Sequence, residues 1–278
     1  MGGAALGLLL ALSSALTTAC AHALLKSGGD RLTVRLVLGL TQTVVALPFV
    51  LLLPLPGGEL WPWLAASACA HALYQLVLIR AYDSADFSVA FPLARGAAPL
   101  ATALLGALWL GDRLSPLSGL GVAVVTGALL LMAAKGRVAP AGLAAAVGAG
   151  LLTTTYTLID AAGVRAAPEP LLFIAWFFLL DGLALAPIAL ALRGPGVIRA
   201  VRAEFRRGVA AGLVSVLAFG AALWALALAP AGGVSALRET SVAFAVLIGA
   251  AILKERVGRH RVLAALGVVL GGILVILG

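Results

Sequence analysis

Ten apolar stretches, each close to 20 residues long, follow one another with almost nothing between them. They run roughly over 3–26, 33–54, 60–82, 87–110, 116–134, 140–162, 170–192, 208–229, 232–253 and 260–277. About 20 apolar residues in a helix match the hydrocarbon thickness of a bilayer, so each stretch reads as a spanning helix. Short clusters of helix breakers and charge separate them: "KSGGDR", "PLPGGELWP", "GDRLSP", "KGRVAP", "APEP", "RGPG" and "KERVGRHR". No connection is long enough to form a second domain. A chain that is 63% hydrophobic and only 11% charged has less than half the charge usual in a soluble domain, and water could not solvate its surface. The first stretch has no basic segment before it and stays apolar to about Leu25. We therefore read it as a retained helix rather than a cleaved signal.

The net charge of +8 does not point to nucleic acid, because no soluble basic region exists to hold the charge. Of the 19 lysines and arginines, 15 flank the connections after spans 1, 3, 5, 7 and 9. Only Arg113 and Arg165 fall in those after spans 2, 4, 6 and 8, and Arg95 and Arg238 lie inside spans. Basic connections stay cytoplasmic, so this asymmetry predicts both termini outside, in a cytoplasmic (inner) membrane of the bacterial type. The segment "RGPGVIRAVRAEFRRG" reads either as an amphipathic helix on anionic lipid or as a topology anchor between spans 7 and 8. Cys20 and Cys69 sit in apolar segments and read as packing residues. No zinc-ligand spacing occurs, and neither a metal nor a cofactor is expected.

The chain also repeats itself. At an offset of 143, "LARGAAPLATALLGALWLGDRL" aligns with "ALRETSVAFAVLIGAAILKERV". Arg95 then falls on Arg238, Gly106 on Gly249, Asp112 on Glu255 and Arg113 on Arg256. A weaker offset of 134 sets His22 on Tyr156, Lys26 on Asp160, Gly29 on Gly163 and Arg31 on Arg165. Residues 1–138 and 139–278 would thus be two five-helix repeats in one integrated membrane domain. An odd number of spans inserts the second half upside down. The fold class expected is all-α integral membrane, ten transmembrane helices built from two inverted repeats. Many secondary transporters use that design to place one central site between two entrances.

The segments "AYDSADFSVAFPLARGAAPLATALLGALWLGDRLSPLSGLGVAVVTGALLLM" and "SALRETSVAFAVLIGAAILKERVGRHRVLAALGVVLGGILVIL" resemble the drug/metabolite transporter (DMT) superfamily in its ten-helix EamA-type branch. In that family each half ends with a helix, an acidic turn residue and a Gly-rich last helix. Asp112 and Glu255 match the turn residue, although a glutamate is usual where Asp112 stands. The resemblance implies a membrane exporter of small molecules. YddG-type amino-acid exporters are the functional analogy, and other members export drugs, nucleotide precursors or lipid-linked sugars.

An ionisable group at membrane depth is a functional candidate, because burying it costs about 2.5–3.5 kcal/mol on the mildest scale. Arg95 in span 4 and Arg238 in span 9 could each grip a carboxylate or phosphate with two parallel hydrogen bonds. The structural alternative for either arginine is a helix–helix pair, for instance with Asp181 or Asp160. Glu239 adjoins Arg238 but points about 100° away on a helix, so the two need not pair. His71, Tyr74 and Gln75 stand at i, i+3 and i+4 in span 3 and share a face, which suits a water-filled path. Tyr156 and Asp160 share a face of span 6, and Trp176 could supply an aromatic wall from span 7. His71, Tyr74, Gln75, Arg95, Tyr156, Trp176, Arg238 and Glu239 are the candidates for substrate contact. His22, Asp160 and Asp181 are candidates for ion pairing or proton coupling.

Three function classes follow. The first is a secondary transporter exporting small metabolites, most simply amino acids or related carboxylate-bearing compounds, by alternating access. No nucleotide-binding motif suggests ATP hydrolysis. The second, from the resemblance, is an exporter or flippase of drugs or lipid-linked sugars. The third and remotest is an intramembrane enzyme, which "AYD" at 81–83 and "LLDG" at 179–182 faintly suggest. The expected partners are a small-molecule substrate and the lipid bilayer, with a monomer favoured over a dimer. The "GVVLG" face at 267–271 suits close helix packing within the bundle, or less simply between copies.

Overall fold

A computed structural model describes residues 2–26, 31–84, 95–96, 98–133, 140–251 and 258–278. Among these residues all regular structure is helical. Eleven α-helices run as α1 (Gly2–Lys26), α2 (Arg31–Leu52), α3 (Trp61–Ser84), α4 (Ala98–Trp109), α5 (Pro116–Ala133), α6 (Pro140–Ala166), α7 (Pro170–Arg193), α8 (Val197–Leu228), α9 (Ala231–Arg238), α10 (Ser241–Ala251) and α11 (Arg259–Leu277). Arg95 and Gly96 are helical just ahead of α4. Segments of α1, α2, α6, α8 and α11 are by length and composition long and apolar enough to cross a membrane. Much of span 4, the junction of the two expected repeats, Glu255 and the side chains of His22 and Asp83 lie outside the described residues.

Two elements depart from the sequence expectation. The arginine-rich segment is no separate element, since α8 runs unbroken from Val197 to Leu228. Its 32 residues extend about 48 Å, well beyond a ~30 Å hydrocarbon layer. The first turns therefore stand clear of that layer and expose Arg199, Arg202, Arg206 and Arg207. Span 9, expected as one helix, is broken into α9 and α10 at Glu239 and Thr240. The amides of Glu239, Thr240, Val242 and Ala243 each donate to a carbonyl three residues back, the tighter 3₁₀ pattern. Thr240 Oγ1 also donates to the Leu237 carbonyl at 2.6 Å. A polar triplet, Arg238-Glu239-Thr240, thus competes with α-helical bonding where the periodicity shows only an apolar span.

The distribution of polarity is inverted relative to a soluble protein. Leu52, Leu108 and Leu277 are 85%, 83% and 70% exposed, whereas Asp160, Glu239 and Arg95 are 0%, 1% and 5% exposed. Such a perimeter suits lipid, and such an interior must satisfy its polar groups internally. The helices pair as α1 on α8, α3 on α6, α4 on α9 and α5 on α11, while α2 packs against both α7 and α8.

Glycines permit the closest crossings. A Cβ on Gly121 would stand 2.6 Å from the Gly271 carbonyl, and one on Gly271 would stand 2.7 Å from that of Gly121. Gly267 likewise faces Ala128, so the "GVVLG" face is used inside the bundle, where α11 meets α5. Gly39 of α2 and Gly182 of α7 meet backbone to backbone in the same reciprocal way.

Candidate functional site

The polar interior gathers around a cavity of about 110 Å³, several times the roughly 10–15 Å³ that one water needs. His71 and Tyr74 of α3, Arg95, Tyr156 of α6, Asp181 of α7 and Arg238 of α9 all line it. The helical spacing of His71 and Tyr74 turns both inward, as a shared face requires. Their partner in that spacing, Gln75, is not a lining residue: its Oε1 accepts from Arg35 Nε at 2.8 Å.

The charges in this interior fall into three arrangements. Arg95 donates through Nε and Nη2 to the two carboxylate oxygens of Glu239, at 2.8 and 2.7 Å. The sequence suggested Asp181 or Asp160 as the acid, but it comes from the break between α9 and α10. The fork geometry satisfies both ions, which a buried pair needs to offset desolvation. Asp160 accepts from Ser67 Oγ at Oδ1 and from His71 Nε2 at Oδ2, the latter at 3.0 Å. It is wholly buried and ties α6 to α3. Arg238 and Asp181, by contrast, form no ion pair among the described residues. Arg238 Nε and Asp181 Oδ1 are buried without a hydrogen-bond partner, and the Arg238 guanidinium lies 5.0 Å from the centre of the Phe219 ring.

Aromatic rings form the remaining wall. Tyr156 packs on His71 with centroids 4.1 Å apart and on Tyr74 at 5.2 Å. Phe177 stacks on Phe219 at 5.2 Å, and both rings line the cavity. Trp176 lies elsewhere, edge to face with Trp61 at 5.2 Å, and is not among the lining residues. The inward-facing aromatic of α7 is therefore Phe177. Arg35, Gln42, Ser215 and Phe219 also line the cavity and were not singled out from the sequence. Gln42, a lone amide in an apolar span that donates to Ser215 at 3.1 Å, was the legible signal among them.

Residues 140–277 match the EamA-like transporter family. The second half of the chain belongs to that family. This EamA-like protein is therefore a multi-pass membrane protein of a transporter family within the DMT superfamily, and not of an enzyme family. A solved structure described only as "Crystal structure of protein" is similar with a TM-score of 0.75 and 18% identity, covering 99% of this chain and 98% of that one. At that identity the likeness concerns fold alone. No curated protein matches the chain significantly.

One end of this EamA-like transporter is latched. Gly111, with φ +68°, takes the left-handed conformation that glycine adopts freely, turning the chain after α4 at Asp112. Asp112 accepts from Arg165 Nη1 at 2.7 Å and from the Ala231 amide at 2.6 Å. Arg165 also donates to the carbonyls of Leu226 and Ala229 at 2.8 and 2.9 Å. An anion thus caps the start of α9 while a cation caps the end of α8, each at its favourable dipole end. Replacing Asp112 by Asn is expected to destabilise the transporter by about 1–2 kcal/mol, less than a fully buried charged bond because Arg165 is part-exposed. Thermal melting in detergent checks it, with the exposed neighbour Arg113→Gln as control. Equal melting of the two variants would remove the latch.

Proposed function

We propose that this EamA-like protein is a secondary transporter that exports small carboxylate-bearing metabolites, amino acids among them, across a cytoplasmic membrane by alternating access. The observation that carries this reading is Arg238: a buried guanidinium that faces a cavity and forms no ion pair among the described residues. Arg95 lines the same cavity, but its charge is already answered by Glu239. Among the described residues three arginines line the space, Arg35, Arg95 and Arg238, and a substrate anion is the natural counter-ion. The same charges would repel lipophilic cations.

The alternating mechanism rests on ten spans in two inverted halves, 1–138 and 139–278, with both termini outside and a monomer as the working unit. The helix pairing supports it. Exchanging the halves turns the α1–α8 contact into the α6–α3 contact, and it maps α2–α7 and α5–α11 onto themselves. The reciprocal glycine contacts, Gly39 with Gly182 and Gly121 with Gly271, lie in these two self-mapped pairs. A broken helix beside the site is also how many inverted-repeat transporters build theirs. With both termini outside, the Asp112–Arg165 latch closes the outer end and the cavity loads from the cytoplasm.

Counterflow in proteoliposomes tests the reading, with a panel of amino acids, organic anions and lipophilic cations. Amino acids and organic anions should exchange, and Arg238→Gln should lower their exchange at least tenfold while leaving thermal melting near the wild type. Tenfold corresponds to about 1.4 kcal/mol, a modest fraction of a charged hydrogen bond. Exchange of lipophilic cations alone would overturn the proposal.

A further inference from the structure

Asp181 lines the same cavity as Arg238. It is 4% exposed, and its Oδ1 is buried without a hydrogen-bond partner. Among the described residues the other fully buried acids of this interior are engaged, Glu239 by Arg95 and Asp160 by Ser67 and His71. Opposite charges facing one cavity would gain most by bridging each other, but Asp181 and Arg238 form no such bridge among the described residues. An unpaired buried charge is costly in a low-dielectric interior. Two of opposite sign, lining one small space without a bridge between them, form a site completed by a molecule carrying both complementary charges.

We infer that Asp181 reads the ammonium group of a zwitterionic substrate whose carboxylate is held by Arg238. The substrate class is then the free amino acid, with its side chain against the rings of Phe177, Phe219 and Tyr156. This assignment rests on the proposed transport of carboxylate-bearing metabolites and adds to it a specificity-determining residue. Gly182 keeps Asp181 in place, since its backbone contact with Gly39 sets how closely α7 approaches α2. A carboxylate so placed discriminates by penalty as much as by attraction. A substrate without the amine leaves Asp181 buried and unanswered, and sites with unpaired polar groups reject such analogues strongly.

The test pairs each amino acid with the carboxylate that lacks only its amine: alanine with propanoate, leucine with 4-methylpentanoate, phenylalanine with 3-phenylpropanoate. Counterflow is measured in proteoliposomes of the wild type and of Asp181→Asn, which keeps the shape and removes the charge. The wild type should take at least one amino acid tenfold or more faster than its partner compound. Asp181→Asn should lose that preference, with amino-acid flux falling and flux of the amine-free carboxylate equal or higher. As a second measurement, the preferred amino acid should raise the melting temperature of the detergent-solubilised wild type, and its amine-free partner should not. That readout stands even where the variant fails to fold. Equal wild-type flux of both members, or a preference unchanged in Asp181→Asn, would overturn the Asp181 assignment while leaving carboxylate transport standing. Wild-type flux of neither member would overturn both.

Discussion

Glu239→Ala is expected to cost this transporter about 3–5 kcal/mol, the range for removing one partner of a buried ion pair. The size follows from the geometry. Glu239 takes two N–H groups of Arg95, and both side chains are almost completely buried. Removing the carboxylate takes away the two bonds that Glu239 accepts from the buried guanidinium held next to α4. Equilibrium unfolding in mixed micelles should register the loss, and cell membranes should hold far less of the variant. The double variant Arg95→Leu/Glu239→Leu should recover most of the stability, because apolar side chains replace a buried pair at little net cost. A Glu239→Ala protein that unfolds like the wild type would show that the pair does not hold the broken helix to its neighbour. The double variant separates the roles further, since it should restore the fold while removing the Arg95 charge from the cavity wall.

An alanine at position 182 should be nearly as damaging, for a reason of space alone. Its methyl would overlap the Gly39 carbonyl oxygen and Thr43 Oγ1. Backbone cannot move aside as a flexible side chain can, so α2 and α7 must separate. Overpacking of this kind costs about 1–3 kcal/mol and occasionally more. Gly182→Leu should prevent accumulation of the folded protein. The control is Gly127 of α5, where an added Cβ meets nothing within 4 Å, and there alanine should be neutral or mildly stabilising through helix propensity. Melting curves of Gly182→Ala and Gly127→Ala that coincide would refute the close crossing. Because Asp181 is the adjacent residue, Gly182→Ala should also impair transport beyond its effect on stability.

Several parts of this architecture were legible because they follow from counting. The helices over 2–26, 31–52, 116–133, 170–193 and 259–277 lie within a few residues of the expected spans, since Gly, Pro and charge clusters punctuate apolar runs whatever the tertiary structure. The likeness of Arg95 to Arg238 was visible as a repeat, and both line the cavity. Their different fates were not visible. The acid that answers Arg95 is the residue beside Arg238, 144 positions away, and adjacency in sequence carries no information about which helix a side chain meets. Trp176 and Phe177 are a different case: Phe177 stands four residues before Asp181 and shares its face, so the spacing did carry the signal that separates it from Trp176, about 100° away.

The sequence by itself determined that the chain is helical over apolar stretches of spanning length, with ionisable groups set inside several of them. Those properties depend on composition and on spacing along one chain, which bilayer thickness and helical pitch convert directly into structure. The tertiary structure alone decided which charges are spent on each other and which are left facing the cavity. That outcome depends on helix rotation, on glycine crossings and on the break at Glu239 and Thr240. Pairing is a relation between helices far apart in sequence, and angstrom-scale differences separate an answered arginine, Arg95, from an open one, Arg238.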